Sequence, residues 1–125
     1  AGPSLVIGVK PAAWPEKATR EAGYRFQGYR LDNKGMPTFL YKVGTSDVEE
    51  RFEPGENGQI KRTFTIANVP TGAIVWFNAG PGLVSSTVLA NISEDRAAGD
   101  GKVKLEAYTP KDASQPVSFS VVIKP

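Results

Sequence analysis

Several kinds of residue in this 125-residue chain could do chemistry, and spacing decides what each could do. The carboxylates come first. Glu49 and Glu50 are adjacent within a strand-like run, so their side chains point to opposite faces and cannot share a substrate. Glu94 and Asp95 open a short run that could start a helix, where acids are favoured by the dipole. Glycoside hydrolysis needs two carboxyls at a set separation across a sugar, and no spacing here singles out such a pair. Both pairs read as solvated surface. Asp32-Asn33-Lys34-Gly35 offers oxygen ligands for calcium, but a lysine interrupts them and the D-x-[DN]-x-[DN]-G spacing is missing. A hairpin turn with Gly35 at positive φ explains the same residues. Asp95 and Asp100 could join a cation site in a loop. Neither Gly80-Pro81-Gly82 nor Gly99-Asp100-Gly101 has phosphate-loop spacing. Asn91-Ile92-Ser93 matches a glycosylation sequon, a pattern that is common by chance.

The aromatics are more informative. Trp14, Tyr24, Tyr29, Tyr41, Trp76 and Tyr108 could stack on sugar rings, as in a carbohydrate-binding module. A sandwich of this size also needs large residues for its own core. Trp14, Tyr24, Arg25, Tyr29 and Arg30 form the candidate ligand or docking surface. The arginines could stack on the tyrosines or pair across the hairpin.

Composition removes whole classes of function. With no cysteine and no histidine, the chain excludes disulfides, haem attachment, the usual zinc sites, thiol nucleophiles and the Ser-His-Asp triad. Met36 is the sole soft ligand, so no haem is expected and no cofactor of any kind. Net charge is +2, from 15 basic and 13 acidic residues, too balanced to imply nucleic acid. No apolar run approaches the ~20 residues that span a bilayer. Ala1-Gly2-Pro3-Ser4 has neither a charged n-region nor an apolar h-region, and Pro125 directly follows a strand-like run. The expectation is one domain, residues 1–125, cut from a longer multidomain protein.

Elements that must position these residues are short strands. The 13 glycines and 10 prolines punctuate the chain into runs of mostly four to nine residues, the pattern of a sandwich or barrel. The fold expected is all-β, an antiparallel β-sandwich of about eight or nine short strands, immunoglobulin-like or jelly-roll-like. The candidate strands are Leu5–Val9, Tyr24–Leu31, Thr38–Val43, Val48–Phe52, Ile60–Ala67, Ala73–Asn78, Val84–Ala90, Val103–Tyr108 and Val117–Lys124. Short helices are candidates at Pro15–Ala22 and Glu94–Ala98. Alternation places Phe39, Tyr41 and Val43 on one face. It does the same for Ile60, Phe64 and Ile66, with Arg62 discordant; for Val103, Leu105 and Ala107; and for Val117, Phe119, Val121 and Ile123. Ile74-Val75-Trp76-Phe77 is apolar on both faces and reads as a central strand. Tyr24 and Phe26 are out of phase with Tyr29 and Leu31. A β-bulge at Gly28 would bring all four inward; without it the pairs face opposite ways. Phe26, Phe39 and Phe64 are expected in the core.

Residues 13 to 41 also carry a family pattern. Ala13-Trp14-Pro15, then Gly23-Tyr24-Arg25-Phe26-Gln27-Gly28-Tyr29-Arg30-Leu31-Asp32, then Gly35-Met36-Pro37-Thr38-Phe39-Leu40-Tyr41, read "WP…FxGYRLD…GxPTFxY". This resembles a β-domain of large bacterial envelope proteins, haem-containing and sorbosone-dehydrogenase-like, which join a dehydrogenase domain to a c-type cytochrome domain. The resemblance covers about a quarter of the chain and implies a periplasmic or secreted location. It carries over no catalytic residue. It implies a non-catalytic accessory or interaction domain of a cytochrome c-associated oxidoreductase, whose partners are neighbouring domains or another envelope protein. A carbohydrate-binding module, with a glycan as partner, is the alternative. A small enzyme would need a cleft with converging carboxylates.

Overall fold

The computed structural model describes residues 4–9, 22–78, 80–98 and 105–124, residue 98 by its backbone alone. Ten strands run through them: β1 Leu5–Gly8, β2 Tyr24–Leu31, β3 Pro37–Val43, β4 Ser46–Pro54, β5 Ile60–Ala67, β6 Ile74–Asn78, β7 Leu83–Ala90, β8 Ile92–Ala98, β9 Leu105–Pro110 and β10 Val117–Ile123. They form two antiparallel sheets, a smaller one in the order β1-β6-β9-β8 and a larger one in the order β2-β3-β4-β5-β10-β7. The expected all-β antiparallel sandwich is the fold observed. Trp14, Val103 and nearly all of Pro15–Ala22 lie outside the described residues.

Glu94–Ala98 is strand rather than helix. It pairs with β9 from Glu94↔Thr109 to Ala98↔Leu105. Five residues cannot hold a helix unaided, whereas the ladder gives the backbone groups partners. The chain reaches β8 from β7 through a corner at Asn91, which has φ 59°. The Asn91 amide pins that corner. Its Nδ2 donates to the carbonyls of Asp112 (2.8 Å) and Gln115 (2.9 Å), and its Oδ1 accepts from the Asp112 N–H (2.9 Å). The sequon asparagine therefore has a structural task, which a glycan on Nδ2 would disrupt.

The core lies between the sheets. Phe64 stacks on Phe119 with ring centroids 5.0 Å apart, and Tyr108 stacks on Phe119 at 4.0 Å. Phe77 meets Phe64 edge-on at 5.3 Å. Val117, Phe119 and Val121 are fully buried, as their alternation predicts, and Ile123 packs at the margin. β6 is central in its sheet, between β1 and β9. Val75 and Phe77 face the core. Trp76 is buried on the opposite face, where its indole N–H donates to the Gly8 carbonyl and the Arg96 guanidinium lies 5.9 Å from its ring.

One inward set is reversed. On β9 the core residue is Tyr108, not Leu105 or Ala107, because Ala107 pairs with Trp76 and shares its outward face. Burying the much larger tyrosine outweighs burying alanine, and that sets the strand's phase.

Candidate functional site

The β2–β3 hairpin is built as its residues dictate. Asp32 Oδ1 accepts the N–H groups of Lys34 and Met36, both at 2.9 Å, and Gly35 at φ 80° closes the turn onto the Asp32 carbonyl at 3.0 Å. Asp32 Oδ2 is held by Arg51 Nη2 at 2.6 Å. These contacts, that with Arg51 foremost, hold the Asp32 carboxyl below its usual range. This carboxylate serves the turn.

The bulge at Gly28 forms. Phe26 pairs with Tyr41, and then Gly28 with Leu40 and Tyr29 with Phe39, so β2 carries one extra residue. Gly28 has φ 129°, where a side chain would be strained. The register puts Tyr24, Phe26, Tyr29 and Leu31 on the face of Phe39, Tyr41 and Val43. β4 and β5 add Val48, Glu50 and Phe52, then Ile66, Phe64, Arg62 and Ile60, to the same face.

This face is buried along only part of its length. Tyr24, Val43, Val48, Phe64 and Ile66 are covered by the smaller sheet, through Leu5, Val75, Phe77 and Tyr108. Beyond them the cover given by the described residues stops. Phe26 is 66% exposed, Tyr29 61%, Leu31 59% and Ile60 45%. Phe39, partly buried, ties the overhang together: its ring centroid lies 6.2 Å from Phe26, 6.1 Å from Tyr29 and 5.4 Å from Phe52. The expectation that Phe26 and Phe39 are core fails here. Period-2 alternation reports which face a side chain takes, not whether a second layer reaches it. Phe64 is in the core as expected.

A buried polar cluster marks the border between covered and open ends. The Glu50 carboxylate, 7% exposed, accepts from Arg62 Nη2 at 2.5 Å and from the Tyr41 hydroxyl at 2.9 Å. Arg62 Nη2 also reaches Ser4 Oγ at 3.2 Å. The Arg62 guanidinium sits over three rings, 5.4 Å from Phe52, 5.1 Å from Phe64 and 5.5 Å from Phe77. Glu50 is thus not solvated surface. It and the discordant Arg62 are opposite charges at diagonal inward positions of neighbouring strands, which is what makes both tolerable there. Burial, with Glu50 adding to it, pushes the Tyr41 phenol well above its usual range. A cavity of about 260 Å³ opens at this border, lined by Ser4, Leu5, Tyr24, Arg25, Phe26, Tyr41 and Glu50.

Only Tyr29 among the described candidates stands on the open face. Tyr24 belongs to the core: it is buried, its hydroxyl donates to the Leu5 carbonyl at 2.5 Å, and burial pushes its phenol up to about 12. Arg25 and Arg30 alternate with these residues and take the other face of β2, though Arg25 also reaches the cavity rim. Arg30 pairs with Glu49 at 3.0 Å, two strands away rather than across the hairpin. That outer face carries further ion pairs, Lys42–Asp47 at 3.0 Å and Arg51–Glu53 at 3.5 Å. The residues missed as surface are Phe26, Leu31, Phe39, Phe52 and Ile60.

Asp95 is on β8, Asp100 lies outside the described residues, and no group of three metal-ligating side chains occurs among the described residues. No helix among them is long and apolar enough to cross a membrane. Comparison with protein-family models, with curated proteins and with solved structures finds no match.

Proposed function

We propose that the chain is a non-catalytic interaction domain that docks another protein on the open aromatic face of its larger sheet. The observation that carries this reading is the contiguous exposure of Phe26, Tyr29 and Leu31 around the partly buried Phe39. Soluble chains rarely leave such a patch open unless it is used, and aromatic residues are enriched in interface centres. Phe26, Tyr29 and Phe52 are tilted at 48°, 46° and 85° to the Phe39 ring between them, so Phe39 makes no coplanar platform with any of them for stacking on successive sugars. Both oxygens of the one carboxylate at the cavity are engaged by Arg62 and Tyr41, which disfavours acid-base work. The resemblance of residues 13–41 supplies the context: an accessory domain of a periplasmic, cytochrome c-associated oxidoreductase.

A photo-cross-linking amino acid at position 26, with position 89 as the control, tests the docking role in the source cells. Protein adducts at 26 and not at 89 support it. Equal labelling at both positions, or none, overturns it. Retention on a glycan array that Tyr29→Ser abolishes would replace it with carbohydrate binding.

A further inference from the structure

The open face has a shape as well as a composition. The larger sheet overhangs the smaller one, and the step between them is one sheet high, about 10 Å. Among the described residues, what is missing above the overhang is a layer of that thickness. The overhang is itself such a layer, with one apolar face. Turned about a two-fold axis, a second copy would lay its overhang in the missing layer, as in a half-lap joint, and the steps would meet edge to edge. From here on, resting on the docking reading above, we propose that the occupant of this face is a second copy of this chain.

Area is consistent with this. With large aromatic side chains offering roughly 150–250 Å² each, the exposed fractions here sum to apolar surface on the order of 500 Å² per copy. A standard interface takes about 800 Å² per partner, and the abutting step edges would supply the difference. The cavity at the step, about 260 Å³ between Leu5, Tyr24, Phe26 and Tyr41, is a socket for a side chain from the facing overhang. Charge does not oppose the pairing, since net charge is only +2. Open-ended stacking along β2 is disfavoured. Its bulge at Gly28 breaks the hydrogen-bond repeat that another strand would need.

Sedimentation equilibrium of the 125-residue chain, from roughly 1 to 500 µM, tests this. The expected result is a monomer–dimer equilibrium rising to twice 13.4 kDa. Phe26→Glu and Tyr29→Glu should each weaken it at least about tenfold with unchanged circular dichroism, and with an unchanged melting temperature at concentrations where the wild-type chain is monomeric. Leu89→Glu, on the far edge strand β7, should leave it intact. A wild-type chain that stays monomeric, a dimer indifferent to both face variants, or fibres instead of dimers would overturn the proposal. Adducts at position 26 with a different protein, from a chain monomeric in solution, would reject the second copy and leave the docking reading standing.

Discussion

The two ends of the larger sheet's inner face use the same kinds of residue to opposite effect. At the covered end, Phe64 is enclosed by Phe77 and Phe119 and has no exposure. At the open end, Phe39 sits among Phe26, Tyr29 and Phe52 in comparable ring contact, yet Phe26 and Tyr29 face water. Ring contacts alone therefore do not make a core. A second layer does, by removing the remaining area from water. Stability should be concentrated at one end and available surface at the other.

The sharpest way to break this comparison is truncation of matched rings. Phe64→Ala should cost about 3–5 kcal/mol in denaturant unfolding, since it leaves a cavity in a closed region. Phe39→Ala should cost only about 1–2 kcal/mol, because less area returns to water. Equal losses would show that the open end is covered in solution, and under the second-copy proposal the gap should narrow as protein concentration rises.

Glu50→Ala probes the border. It strands the Arg62 guanidinium beneath the step and should destabilise by roughly 3 kcal/mol. Replacing both partners, Glu50→Leu with Arg62→Met, should recover most of that loss. A double variant no better than the single one would mean that Arg62 acts through its rings and not through Glu50.

Two groups, one at each end, should link stability to opposite extremes of pH. The Tyr24 phenol is raised to about 12 by burial, so its contribution is present below the unfolded value near 10 and declines as pH rises from about 10 to 12. Asp32 at the open end is lowered by Arg51 and the turn amides. Its contribution is present above the unfolded value near 4 and is lost as pH falls through the lower folded value. Tyr24→Phe should flatten part of the alkaline limb of a stability profile, to which Tyr41 and Tyr108 also contribute, and Asp32→Asn part of the acid limb. Unchanged limbs would detach these groups from folding.

The smallest effect belongs to the surface itself. Phe26→Ser should change monomer stability by no more than about 0.5 kcal/mol. A loss of several kcal/mol would put Phe26 under cover and remove the basis of the docking face.

Much of this was legible in the residues. The Asp32–Gly35 turn, the bulge that Gly28 permits, the central β6 and the inward set of β10 follow from local rules: which residues take positive φ, and which share a strand face. Other features were not. Tyr108 rather than Ala107 took the core, and Glu94–Ala98 became a strand, because partners distant in sequence outweighed local preference. Glu50 and Arg62 could have been paired from two charges at inward positions, but only once β4 and β5 were aligned. Above all, the strand period names a face without saying where the opposing sheet ends. The sequence by itself determined a two-layer β-sandwich with an aromatic hairpin. Only the tertiary structure decided that the hairpin's apolar face extends past its cover, because burial depends on the reach of the second layer and not on the alternation of the first.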